Sequence, residues 1–175
     1  MPRARAWCHL TRPRVWLIAD THFGHKNILK FEAPYRPFST IEEHDEALID
    51  RWNSVVAQTD SVWHLGDVLF GRHSFAVLPR LHGRKKLVLG NHDHYSIALY
   101  LEHFAKVFGA AEIADCVMTH VPVHPSQLSI RYRANIHGHL HSLKLDDPKY
   151  ICVSAEQNKL TPILLDEIIA RIPNE

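Results

Sequence analysis

The sequence predicts an α/β domain: a two-layered sheet core flanked by helices, with the second sheet mixed. Two observations carry that expectation. In the first half, short apolar runs alternate with amphipathic segments as strand, helix, strand, helix, strand, the order that suits parallel pairing with right-handed crossovers. In the second half, strand-like runs follow one another over short connections until a last amphipathic stretch. With 175 residues, the chain is long enough for one domain with its own core. No repeat, low-complexity tract or linker divides it.

Val15–Asp20 is a continuous apolar run closed by an acid, the pattern of a strand covered on both faces. Residues 24–38 contain Gly24, Pro34 and Pro37 and read as a loop with one helical turn around Asn27–Phe31. Ser39 or Thr40 can cap the next helix, with Glu42 and Glu43 set against its N-terminal dipole. That helix runs to about Ala57 and places Ile41, Leu48, Ile49, Trp52, Val55 and Val56 on one face. Ser61–Asp67 is the second strand, residues 73–82 a short helix interrupted near Pro79, and Lys86–Leu89 the third strand. A short helix is expected over Ser96–His103. Strands are expected over Phe104–Phe108, Ala111–His120, Ala134–Gly138 and Tyr150–Ala155. Pro162 helps to start a final helix with Leu165, Ile168, Ile169 and Ile172 facing inward. Residues 1–14, with Arg3, Arg5, Arg12 and Arg14, read as a basic arm ahead of a single domain over 15–175.

Composition excludes several classes. The chain is 46% hydrophobic and 22% charged, with a net charge of +1, so no global field draws it to nucleic acid or a membrane. An anionic substrate would have to be held by local charge. No apolar stretch is long enough to span a bilayer. Cys8, Cys116 and Cys152 are isolated and odd in number, which points to reduced thiols in a cytoplasmic protein. Histidine is the outlier at 15 residues, and its placement gives it meaning.

Metal-ligand residues close successive strands: Asp20-Thr21-His22, Gly66-Asp67, Gly90-Asn91-His92-Asp93, His120 and Gly138-His139-Leu140-His141. Repetition of such residues at strand ends is what a two-metal hydrolytic site needs. Asp20 and His22, two residues apart, project to one side of a strand end and can meet one ion. His139 and His141 share that spacing and can serve two adjacent ions, and Gly138 lets the backbone turn close to them. Asp67 can bridge both ions, while Asn91 offers a neutral amide oxygen. Mixed nitrogen and oxygen ligation without thiolate suits Mn, Fe, Zn, Ni or Co, with Mn foremost, over Mg alone.

The ordered set D-x-H, G-D, G-N-H-[DE], H and G-H-x-H resembles the calcineurin-like metallophosphoesterase superfamily and spans residues 20–141. The short length is similar to its small bacterial and phage members. The resemblance implies a four-layer α-β-β-α sandwich, two mixed sheets between helices, with the site where strands end. It assigns one ion to Asp20, His22, Asp67 and His141, and the other to Asp67, Asn91, His120 and His139. It further implies hydrolysis of phosphate esters, phosphodiesters above monoesters, by a hydroxide bridging two divalent ions. His92 would protonate the leaving oxygen or stabilise phosphate charge, and Asp93 would orient His92. Asn91, His25 and Arg36 are candidate substrate contacts, with Lys26, Arg131 and Arg133 as further anion contacts. The substrate is then a phosphate ester, nucleotide-like among others. A nuclease or end-processing enzyme is the alternative, although no basic groove with stacking aromatics is evident. A scaffold that has lost catalysis ranks last, since every ligand position is filled. His64, His94, His124 and His137 read as packed or supporting residues, and Trp52, Trp63 and Phe75 as core.

Overall fold

The computed structural model describes residues 12–128 and 131–173. Strand β1 (Val15–Ile18) lies at the centre, and its alternation assigns the layers. Trp16 and Ile18 face helix α2 (Ile41–Val55), while Leu17 and Ala19 face the second sheet. Strands β2 (Ser61–His64), β3 (Arg84–Val88) and β4 (Val107–Phe108) run parallel to β1 in the order β4-β3-β2-β1. The second sheet holds β5 (Ala111–Ile113), β6 (Cys116–Thr119), β7 (Ala134–His137) and β8 (Tyr150–Cys152) in sequence order. Its last three strands are parallel, and β5 is antiparallel to β6. Strand β9 (Ile163–Leu164) returns antiparallel to the free edge of β1. The protein is therefore an α/β fold of two mixed sheets with flanking helices.

Helix α2 forms as the capping signals predict. The Thr40 hydroxyl accepts from the Glu43 amide at 3.1 Å, and Glu43 reaches back to the Ser39 amide at 3.0 Å. Its buried face of Ile41, Leu48, Ile49 and Trp52 covers the outer side of the first sheet. Each such side chain is worth about 1.5–3 kcal/mol in area removed from water. Helices α1 (Ile28–Phe31) and α3 (Ile97–Leu101) are single short turns. Between the sheets, Leu17, Leu65 and Val88 meet Met118, Ala134, Ile136 and Val153 in a second apolar cluster. Over the outer face of the second sheet, Asn135 accepts from the Val123 amide at 2.9 Å and Tyr150 Oη donates to the Val123 carbonyl at 2.8 Å. These bonds tie down the segment that contains the 3₁₀ turn Pro125–Gln127.

Four expectations are corrected. The stretch 111–120 is a hairpin, not one strand: Ala114 and Asp115 adopt φ of 49° and 60°, the left-handed pair of a two-residue turn. Asp115 suits such a turn, but Ala114 does not, and no glycine marks it. Residues 72–80 wind as a 3₁₀ helix around Pro79, which removes an amide donor. Pro162 precedes edge strand β9, and helix α4 (Leu165–Ile169) starts only at residue 165. The strand expected from Phe104 is just Val107–Phe108.

Of the basic arm, residues 1–11 lie outside the described residues. Arg14 is held to the domain, its amide donating to Asp60 Oδ1 at 2.9 Å and its guanidinium lying 4.9 Å from the Trp16 ring centre. Among the described residues, no helix is long and apolar enough to cross a membrane. Cys116 and Cys152 are free thiols, the first buried.

Candidate metal centre

Beyond the end of β1, backbone hydrogen bonds join the two sheets. Ala19 bridges to Ser154, with the Ala19 amide donating to the Val153 carbonyl and the Ala155 amide to the Ala19 carbonyl, both at 2.9 Å. The next amide, of Asp20, donates to the Gly66 carbonyl beyond β2 at 2.9 Å. Asp20 therefore sits at the seam, with Asp67 and Asn91 arriving from the first sheet and His120, His139 and His141 from the second.

The residues converge by a device that differs from the expected strand pleat. Asp20, His22, Asp67, His139 and His141 all have left-handed backbones, with φ between 51° and 70°. For side chains bearing Cβ this costs roughly 1–2 kcal/mol per residue, and such outliers gather where function demands them. Strand geometry has ended before each pair, and left-handed turns aim the side chains inward. Two glycines make the close approach feasible. A Cβ on Gly138 would lie 2.6 Å from Ala19 Cβ, and one on Gly66, at φ 93°, would lie 2.5 Å from the Gly90 nitrogen.

Each inward carboxylate is anchored through one oxygen and aims the other. Asp20 Oδ2 accepts from the His139 amide at 2.9 Å and from Ser154 Oγ at 2.7 Å. Its Oδ1 is buried without a hydrogen bond, 4.0 Å from His22 Nε2 and His120 Nε2 and 3.9 Å from His141 Nε2. Asp67 Oδ1 accepts from the His92 amide at 2.9 Å, while its Oδ2 lies 3.4 Å from His120 Nε2 and 3.7 Å from His22 Nε2. Asn91 Oδ1 stands 2.9 Å from both His120 Nε2 and His139 Nδ1. Two groups can each surround a cation, Asp20, His22 and His141 in one and Asp20, Asp67 and His120 in the other. Asp20 belongs to both groups, although the resemblance gives the shared place to Asp67 alone. The unpaired, buried Asp20 Oδ1 and His22 Nε2 fit cation ligands, since buried polar atoms otherwise find partners.

The charges are strongly coupled. Burial pushes the Asp20 carboxyl up to about 6. Asp67 is also buried, yet the His120 hydrogen bond and charge hold it well below the usual carboxylate range. His120, against its own burial, is raised to about 9 by Asp67 and Asp20. Burial and the His141 charge lower His22 strongly. Protons and a cation would compete for these atoms, so cation uptake would release protons.

Behind the cluster lies a buried network for which no sequence motif exists. Arg36 is fully buried, and its Nε and Nη2 both lie 2.7 Å from Glu156 Oε1. Its remaining donors reach the carbonyls of Thr21 at 3.0 Å and Asp20 at 2.5 Å, with His44 Nε2 at 2.7 Å. Glu156 Oε1 also faces His141 Nδ1 at 3.0 Å, which sets that ring with Nε2 toward Asp20. Arg36 is thus corrected from a substrate contact to a support beneath the site. Glu156 and Ser154 were missed. Their one signal in the sequence is an acid directly after an apolar strand.

Asp93 is likewise corrected. Its carboxylate accepts from the amides of Gly90, Asp67 and Val68 at 2.8, 2.9 and 3.1 Å and from Tyr100 Oη at 3.2 Å, not from the His92 ring. It fastens the loop, and the His92 ring stays free. That ring is 44% exposed, with Nε2 4.0 Å from Asp67 Oδ2. His25 stacks on Phe70 at 3.9 Å beside the cluster. His64 is buried with Nε2 2.9 Å from Thr21 Oγ1, and His137 is buried on β7. Arg131 pairs with Glu112 on β5 at 3.0 Å.

The fold and this cluster define a class: a two-sheet α/β protein whose aspartates and histidines could hold metal at the seam of the sheets. No family model matches the chain. An uncharacterized protein of Methanocaldococcus jannaschii is 32% identical over 171 residues, 91% of each chain. The gene 66 protein of Mycobacterium phage L5 is 32% identical over 162 residues, covering 73% of this chain and 77% of that one. The chain belongs to the family of these two proteins. A crystal structure of a protein of unknown function from Aquifex aeolicus shares the fold, with a TM-score of 0.72 and 24% identity over 91% of this chain and all of that one.

Proposed function

We propose that this protein is a metallophosphoesterase, a hydrolase of phosphate esters working with two divalent cations and favouring diesters. The observation that carries the reading is the convergence of unpaired Asp20 Oδ1 and His22 Nε2 on Asp67, His120 and His141. Asp20, His22, Asp67 and His141 would hold one ion, and Asp67, Asn91, His120 and His139 the other. Such ions, Mn foremost or Fe, Zn, Ni or Co, supply Lewis acidity to phosphate oxygens and acidify an attacking water.

The protein supplies position and a proton. Asp20 and Asp67 each spend one oxygen on backbone amides, so their inward oxygens cannot swing away. The free, half-exposed ring of His92 reaches the rim of the cluster and donates a proton to the leaving oxygen. Arg36 is sealed beneath the cluster and cannot meet the second charge of a monoester, which favours the singly charged diester.

The test strips the protein of metal, restores Mn, Ni, Zn or Mg, and follows bis-p-nitrophenyl phosphate against p-nitrophenyl phosphate. Restored turnover, with the diester faster, is expected. No turnover of either ester with two ions bound per chain would overturn the reading.

A further inference from the structure

The rim of the cluster opens on one side into a slot that no residue role assigned above explains. Leu69, Phe70, Gly71, His92, His94 and Tyr95 line a cavity of about 270 Å³. That is below the range of sites that enclose a whole ligand, so it takes one group of a larger molecule. Four of these six residues carry rings, and none carries a carboxylate, an ammonium or a guanidinium. His92 is at once a wall of this slot and the residue whose Nε2 lies 4.0 Å from Asp67 Oδ2. Phe70 joins the two regions: its ring centre lies 5.4 Å from that of His22 in the cluster and 5.1 Å from that of His92. The far walls are held from behind, since Tyr95 packs edge-on against Phe75 at 5.2 Å and the His94 amide donates to the His92 carbonyl at 3.0 Å.

We infer that this slot receives a flat, uncharged aromatic ring on the ester group that leaves past His92, so that the substrates are esters of phosphate with a nucleoside or another aryl-bearing alcohol. The inference rests on the phosphate-ester reading of the cluster. If the phosphate sits at the cluster and His92 gives its proton to the leaving oxygen, the leaving group must extend over His92, and the slot is the concavity there. No carboxylate lines the slot to pair an ammonium, and its ring faces suit a planar apolar group. Planar rings gain from stacking on Phe70, His94 and Tyr95 without needing a fixed hydrogen-bond pattern.

The experiment measures binding, not turnover. Mn-loaded protein is titrated calorimetrically with inorganic phosphate, glycerol 1-phosphate, phenyl phosphate and adenosine 5′-monophosphate. Stacking of one ring predicts that the aromatic esters bind about tenfold or more tightly than glycerol 1-phosphate. That preference, normalised to inorganic phosphate on the same variant, falls to within about twofold of unity in both His94→Ala and Phe70→Leu. His94 is exposed and carries little of the fold, which guards against a variant that merely unfolds. A preference for adenosine 5′-monophosphate over phenyl phosphate would identify the ring as a nucleobase, and equal affinity would identify a general aryl slot. Equal binding of glycerol and aromatic esters, or a preference untouched by both variants, overturns the slot and leaves the phosphate-ester reading standing. Failure of inorganic phosphate itself to bind overturns that reading and the slot with it.

Discussion

Replacing Arg36 with methionine removes a buried cation beneath the cluster and leaves Glu156 without its guanidinium partner, beside His141. Both side chains of the pair are fully buried, so the penalty is that of an uncompensated internal charge, about 3–5 kcal/mol. The carbonyls of Asp20 and Thr21 each lose a donor, adding about 1 kcal/mol apiece. Methionine returns about 1–2 kcal/mol through apolar burial. The net loss is about 4–5 kcal/mol, a third or more of the stability of an ordinary domain. Urea unfolding, followed by fluorescence of the buried Trp16, Trp52 and Trp63, measures it. The double variant Arg36→Met with Glu156→Leu removes both charges and should recover at least about 2 kcal/mol over the sum of the single losses. A loss below about 1 kcal/mol in Arg36→Met, or strict additivity in the double variant, would refute the reasoning.

Asp67→Asn keeps the amide contact of Asp67 but weakens the inward oxygen, and diester turnover should fall by about 100-fold or more while the fold survives. Unchanged turnover at full metal content would remove Asp67 from the site. Glu156→Ala should weaken Mn affinity by about 10–100-fold through misorientation of His141, with Glu156→Gln recovering part of it because its carbonyl still accepts from the ring. Equilibrium metal titration reads both, and equal affinities in the two variants would contradict the orienting role. Asp60 accepts from the Arg14 and Ala57 amides and from the Trp16 indole at 2.9–3.0 Å, so Asp60→Ala should cost about 3 kcal/mol in chemical denaturation. Burial opposes its charge, but these donors prevail and hold its carboxyl below the usual value. Its contribution is therefore present above the unfolded-state value of about 4 and fades as pH falls through the lower folded value. A wild-type acid-unfolding profile unaltered by Asp60→Ala would contradict this.

The layered α/β plan could be read in advance because strands bury both faces and helix α2 carries its own caps. Val15–Ile18 and Ser61–His64 fall within the runs that announced them. Short elements escaped for a physical reason: a two-residue strand such as Ile163–Leu164 has no period to detect. The hairpin at Ala114–Asp115 escaped because Ala114 disfavours the left-handed conformation and no glycine follows Asp115. At the site, residues that end strands meet at the seam, but not by the strand pleat that their spacing suggested. The left-handed turns that aim them are set by tertiary contacts, and local propensity opposes them. Arg36, His44, Glu156 and Ser154 were invisible as a unit because hydrogen bonds across up to 134 positions join them to the site. Arg36 in a proline-containing loop has the sequence character of an exposed residue, and only the fold shows it sealed.

The contact of the sheets at Ala19 and Ser154 gives the chain an economy of halves. Asp20, His22, Asp67 and Asn91 lie before Gly109, and His120, His139 and His141 after it, so neither half owns a complete cation site. Cut between β4 and β5, the protein would yield two fragments that are each apolar along one sheet face and deficient in ligands. Their reunion would rebuild the inter-sheet core and the ligand set together, and a divalent ion should act as the clasp that makes fragment complementation metal-dependent.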